Sequence, residues 1–244
     1  MSTYVYGVTH GDHPGPPEGL TGVGDPPAPV RTLRAGGLAA VVSDSPGQLR
    51  AKRRDLLAHQ HALAETGAAG GVLPLRFGSV SADDDTVRTA LTEHEDHYRG
   101  QLERLDGRVE YNVKAAHREE DVLRLVVAGD PEIRALTEAN RASGGGSYQD
   151  RLRLGELIAN GVREREAYDA SALEEALSPA AEGRCPGPES GGRLVNLSFL
   201  VPRDASAAFV NAAEKFRRAC PHLDVQVNGP LPPYSFVQTV PAHA

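Results

Sequence analysis

The chain has 244 residues, room for two domains of about 100 to 150 residues each. Hydrophobic residues make up 40% and charged residues 24%, with a mean hydropathy of -0.37, a balance that excludes a disordered chain. A net charge of -7 argues against a nucleic-acid binder, and no run approaches the roughly 18 apolar residues of a membrane-spanning helix.

In chain order, residues 3 to 9 (TYVYGVT) are β-branched and aromatic and predict a strand, and the proline-rich residues 10 to 29 predict a loop. Segments 30 to 35 and 38 to 43 flank Gly36-Gly37 as a hairpin. A helix is expected from near Ser45-Pro46 to about Gly67, with Leu49, Leu56, Leu57, Gln60, Leu63 and Ala64 at helical spacing. Residues 70 to 80 give a short apolar strand interrupted by Pro74. Ser81 with Asp83, Asp84 and Asp85 starts a second helix, because carboxylates near the first turn complement its free amides. Its stripe of Val87, Leu91, His94, Tyr98, Leu102 and Leu105 runs to a stop at Asp106-Gly107.

Segment 108 to 116 alternates Val109, Tyr111, Val113 and Ala115 against Glu110, Asn112 and Lys114, a half-buried strand. Helical segment 119 to 141 breaks near Gly129-Asp130-Pro131, and a glycine-rich joint precedes a long helix over 148 to 177. A weak strand near 182 to 188, a strong one at 194 to 201, a helix over 205 to 219 and a strand over 222 to 229 complete the regular elements. With 119 to 141 set aside as an insertion, this order is the split βαβ arrangement of ferredoxin-like domains, and the proline-bearing weak strand belongs at an edge. The expected fold class is therefore α+β in two domains. Residues 1–106 form an N-terminal α+β domain; residues 107–244 form a modified ferredoxin-like domain with the helical insertion and a closing segment at 229–240.

Candidate chemistry is sparse. His94 and His97 sit at i and i+3 of a helix but lack the H-E-x-x-H arrangement, and His94 lies on the apolar stripe, so both are read as core or boundary residues. His59 and His61 are two apart on a helix, cannot face one ligand, and are read as surface or boundary residues. Gly144-Gly145-Gly146-Ser147 lacks the strand and the Lys-Ser/Thr pair of a phosphate loop. Cys185 and Cys220 have no histidine in a recognisable motif and no G-x-S-x-G occurs, so no enzyme, metal site or cofactor is expected. The start MSTYVY shows no secretion signal, which with two cysteines predicts a cytoplasmic protein.

Four stretches, YVYGV (4 to 8), LPLRFGSV (73 to 80), RVEYNVKA (108 to 115) and GPLPPYSFV (229 to 237), resemble the gas-vesicle accessory proteins of the GvpL/GvpF family over essentially the whole chain. The departures are Leu231, where a bulkier aromatic often sits, and Tyr111, where Trp is common. The resemblance implies two α+β domains, the second a modified ferredoxin-like fold. It also implies a minor structural or assembly role in building gas vesicles, hollow gas-filled protein shells, through contact with the small hydrophobic shell protein or other accessory proteins. No catalytic residue carries over. The rival reading is a generic cytoplasmic protein-interaction module.

Within the motifs, Arg76 is expected to pair with a carboxylate or carbonyls, and Phe77 to pack in the core. GPLPPYSF reads as a joint whose prolines fix the chain's exit from the last strand and whose Tyr234 and Phe236 anchor it where the domains meet. These four residues are the candidate partner or domain-interface positions.

Overall fold

The computed structural model describes residues 1–47, 49–188 and 192–238, and within them the chain divides into two compact units. The first holds the residues up to Glu110 together with those from Pro230 onward; the second is the continuous stretch Tyr111–Gly229.

In the first unit, β1 (Thr3–His10) is buried along nearly its whole length, as its run of β-branched and aromatic side chains requires. It pairs antiparallel with β3 (Leu38–Asp44), which pairs antiparallel with β2 (Arg31–Ala35) through the expected hairpin. On its other side β1 meets β4 (Leu73–Pro74) and β5 (Val80–Ser81), giving a sheet ordered β2-β3-β1-β4 with β5 also on β1. The segment read as one strand is thus two short pairings, and the Leu75 N–H still donates to the Tyr6 carbonyl at 2.8 Å just past Pro74.

Helix α1 covers Arg53–Gly67, later than the expected start near residue 45, because Pro46 and Gly47 disfavour helix; Lys52, in extended conformation, is its N-cap. Its buried face is Asp55, His59, Ala62, Leu63 and Thr66, while Leu56 and Leu57 are exposed. The leucine stripe therefore gives the wrong phase, and His59, expected at the surface or boundary, is 2% exposed. Polar partners override hydrophobicity here: Asp55 Oδ1 accepts the Gly24 N–H at 3.1 Å. The second expected helix is two, α2 (Asp84–Glu93) and α3 (Glu95–Leu105), broken at His94 where Glu95 and Asp96 supply a new acidic first turn. Asp83 caps α2 by accepting from Thr86 N at 2.8 Å. Asp84 ties that end to the sheet through Arg31 at 2.9 Å and Thr3 at 2.6 Å.

In the second unit, β6 (Arg108–His117, its first three residues lying in the first unit), β7 (Gly183–Pro186), β8 (Val195–Pro202) and β9 (Leu223–Leu231) form a sheet ordered β7-β8-β6-β9. The weak strand is real over 183–186 and stands at an edge. Helix α7 (Ser206–Ala219) buries Phe209, Ala213 and Phe216, spaced for one face. The inserted segment is α4 (Glu119–Gly129) and α5 (Pro131–Ala142), separated at Asp130, which caps α5 from the residue before its N1 proline. Both pack on the long α6 (Tyr148–Leu177), burying Val122, Val126 and Ile133 against Leu154, Leu157, Ile158 and Val162. Each such full burial is worth about 1.5–3 kcal/mol. Helix α6 begins with a capping box, Ser147 and Asp150 satisfying each other's free amides. No helix among the described residues is long and apolar enough to cross a membrane.

Candidate functional site

Two constellations carry chemistry, one in each unit. In the first, Tyr4 and Tyr6 rise from β1 into a cluster with Val23, Val41, Ala62 and Leu63, all fully buried. The His59 ring stacks on Tyr6 at 5.5 Å and meets Tyr4 edge-on at 5.7 Å. Its Nε2–H donates to the Leu75 carbonyl at 3.1 Å, which leaves Nδ1 to accept from the Tyr4 hydroxyl at 2.8 Å. Burial, opposed by the Leu75 bond, lowers the histidine's pKa, so the ring is held neutral. Burial likewise raises the phenols of Tyr4 and Tyr6.

Two of the four sequence-singled residues, Phe77 and Tyr234, come to this cluster. Phe77 packs edge-on to His59 at 5.8 Å. Tyr234 stacks on His59 at 6.2 Å, and its segment is a single 3₁₀ turn, Tyr234–Phe236. Strand β9 itself runs through Pro230 to Leu231, so the turn-forming prolines are Pro232 and Pro233. Phe236 is half-buried and offers its carbonyl to Arg104. Glu110, expected on the polar face of its strand, is buried and takes the Ser235 N–H at 2.8 Å and hydroxyl at 2.7 Å. Gln101 and His97 hold Gln238, at 2.9 and 3.2 Å, so His97 has a structural partner close to the boundary role expected of it. Arg76 is not brought in: it is exposed, its carbonyl accepts from Ser79 at 2.7 Å, and its guanidinium meets no carboxylate among the described residues, against the expected pairing.

The Tyr234 hydroxyl is buried without a hydrogen-bond partner among the described residues, and burial first, then Tyr4 and Glu110, push its pKa up. Tyr234→Phe is expected to leave stability unchanged or to raise it by up to about 1 kcal/mol, because it removes an unpaired desolvated polar atom and keeps the stack. Thermal unfolding checks this, and a clear loss of stability would mean that the hydroxyl has a partner.

In the second unit, Asp169 of α6 is fully buried, and its Oδ2 receives His117 Nε2 at 2.9 Å, His222 Nε2 at 2.8 Å and Arg165 Nε at 2.8 Å. Its Oδ1 has no partner among the described residues. Burial raises the carboxyl's pKa, but the three donors outweigh it and hold the group below its ordinary range, ionised at neutral pH. His117 closes β6 and His222 precedes β9; the Arg118 N–H donates to the His222 carbonyl at 2.9 Å and fixes the two together. His117 also borders a cavity of about 650 Å³ lined by Glu119, Val162, Glu166 and Arg193. Metal-ligand reasoning from sequence tested only histidines close in the chain. This cluster escaped it because its members are 52 and 53 residues apart.

The first unit also holds an apolar cleft of about 200 Å³ lined by Val5, Val8, Leu75, Val80, Leu91 and Tyr98.

The family model described as gas vesicle synthesis protein GvpL/GvpF matches residues 2–238. Gas vesicle protein F of Streptomyces sp. (strain CB03234) is 58% identical over 238 residues, covering 98% of this chain and 100% of its own. Gas vesicle protein L of the same organism is 33% identical over 258 residues, covering 96% and 91%. The crystal structure of GvpF from Anabaena sp. PCC7120 aligns over 98% of this chain and 99% of its own, with a TM-score of 0.77 and 25% identity. That of GvpF from Microcystis aeruginosa aligns over the same shares, with a TM-score of 0.73 and 23% identity, a likeness of fold.

Proposed function

The chain belongs to the gas vesicle synthesis protein GvpL/GvpF family, and on that premise we propose that it acts in gas vesicle assembly by binding the small hydrophobic shell protein or another accessory protein. The observation that carries this reading is the family match over residues 2–238, nearly the whole chain. A shell that excludes liquid water needs subunits with a strongly apolar gas-facing side, and such subunits aggregate before assembly unless a partner covers them. An acidic chain of net charge -7 is suited to keep such a complex in solution. The apolar cleft of the first unit, with Val80 at its rim 47% exposed, is the place where an apolar side chain of the shell protein would insert.

In this reading the protein is not an enzyme, works in the cytoplasm against the vesicle, and uses no cofactor. We read the second unit as a modified ferredoxin-like fold with α4 and α5 inserted; the order β7-β8-β6-β9, with α6 and α7 as the connecting helices, supports it. The test is co-expression with the shell protein followed by affinity capture, beside deletion in a vesicle-forming cell. Capture of the shell protein, weakened at least several-fold by Val80→Asp, and loss of vesicles on deletion are expected. Failure to retain the shell protein together with intact vesicles in the deletion strain sinks the proposal.

A further inference from the structure

Independently of the assembly role, we propose that His117, His222 and Asp169 form a binding site for one divalent transition-metal ion of the zinc type, which displaces the Arg165 guanidinium that occupies the cluster in its absence. One nitrogen from each histidine and one carboxylate oxygen all lie within 4.8 Å of one another. Ligands at zinc distances around a tetrahedral ion are about 3.3 Å apart. The present separations of 2.8 and 2.9 Å from Asp169 Oδ2 therefore need widening by about half an ångström, while the two histidine nitrogens, within 4.8 Å of each other, settle to the same spacing. Imidazole and carboxylate together suit zinc, nickel or copper better than magnesium or calcium, which prefer all-oxygen shells. The three ligands come from β6, α6 and the turn before β9, braced by the Arg118–His222 backbone bond, so the site is held before any ion arrives.

The hydrogen-bond pattern without an ion is inconsistent with a finished structural cluster. Asp169 Oδ2 takes three donors while Oδ1, equally buried, takes none. His222 Nε2 is asked to donate to Asp169 at 2.8 Å and also lies 3.2 Å from Arg165 NH2, itself only a donor. A neutral ring cannot satisfy both, and a protonated ring places two cations in contact. An ion among the three ligands removes the conflict, because each Nε2 then presents a lone pair and no N–H is required there. Arg165 can leave the cluster: its side chain is already 31% exposed and lies 5.1 Å from the exposed Tyr168 ring, a contact it can keep as it swings outward. Of the three ligands His117 lines the 650 Å³ cavity, so an ion, and a water as fourth ligand, would come in from that side.

The test uses the untagged full chain, stripped with a chelator and titrated with Zn²⁺ by calorimetry, with Co²⁺ in parallel for the visible absorption of a four-coordinate site. One equivalent is expected to bind. Affinity should fall at least about 10- to 100-fold in His117→Gln, His222→Gln or Asp169→Asn. Arg165→Gln is the informative variant, because it removes no ligand: it should bind Zn²⁺ as tightly as the native chain or more so, whereas a purely structural ion cluster gives no zinc binding with or without Arg165. Circular dichroism confirms that each variant is folded; should Asp169→Asn fail to fold, the Arg165 and His117 variants still decide. Absence of one-equivalent binding to the native chain overturns the proposal, as does binding that persists in a folded His117→Gln/His222→Gln double variant.

Discussion

Phe209→Ala is expected to lower stability by about 3–5 kcal/mol, enough to remove much of what a small domain has in reserve. Phe209 is fully buried on α7, stacked on Tyr111 at 4.9 Å and tilted against Phe199 at 5.3 Å. It therefore joins the helix to β6 and β8, the two middle strands of the second sheet. Truncation removes a ring from both contacts and leaves a cavity that two further aromatics, each fixed to a strand, cannot collapse to fill. Phe209→Leu should cost distinctly less, since it retains most of the volume. Urea unfolding followed by circular dichroism measures both. A Phe209→Ala loss below about 1 kcal/mol would show that the site relaxes and that the aromatic layer is not the centre of this core.

Gly22→Ala should cost about 2–5 kcal/mol although it adds a single methyl group to a loop. A Cβ there would fall 1.8 Å from the Tyr6 hydroxyl oxygen and 2.6 Å from the ring carbon that bears it. The ring cannot retreat: it is fully buried, against His59 at 5.5 Å and Tyr4 at 4.8 Å. Its hydroxyl also receives the Val23 N–H at 2.9 Å and bonds Ser43 at 2.9 Å, so moving it strands a buried amide. Adding Tyr6→Phe to Gly22→Ala relieves the shorter contact, so the pair should cost less than the sum of the two single changes. Strict additivity in thermal unfolding would disprove the clash.

What could be read in the sequence followed from pattern. Strands rich in Val with Tyr, as β1, or with Leu and Phe, as β8, stood out because a buried strand has little freedom in composition. The break at Asp130-Pro131 was legible because a proline at N1 and an Asp cap are local signals. Helix α1 was misphased for the opposite reason. Its inward face carries Asp55 and His59, and their burial is compensated by partners 31 and 16 residues away that no local window contains. The same distance hid Glu110, whose partner Ser235 is 125 residues on, and the His117–Asp169–His222 cluster. Arg76 shows the limit of motif reading from the other side: a residue inside a specific signature is exposed and meets no carboxylate among the described residues, while its neighbour Phe77 does the packing.

The return of the closing segment to the first unit has a consequence in time. A chain is made from its N-terminus, so the second unit, continuous from Tyr111 to Gly229, is complete in sequence while the first still lacks Tyr234, the Ser235 that satisfies Glu110 and the Gln238 that pairs with Gln101. The unit begun first is finished last, and until those few residues emerge the face of His59 that will hold Tyr234 stays uncovered on the nascent chain.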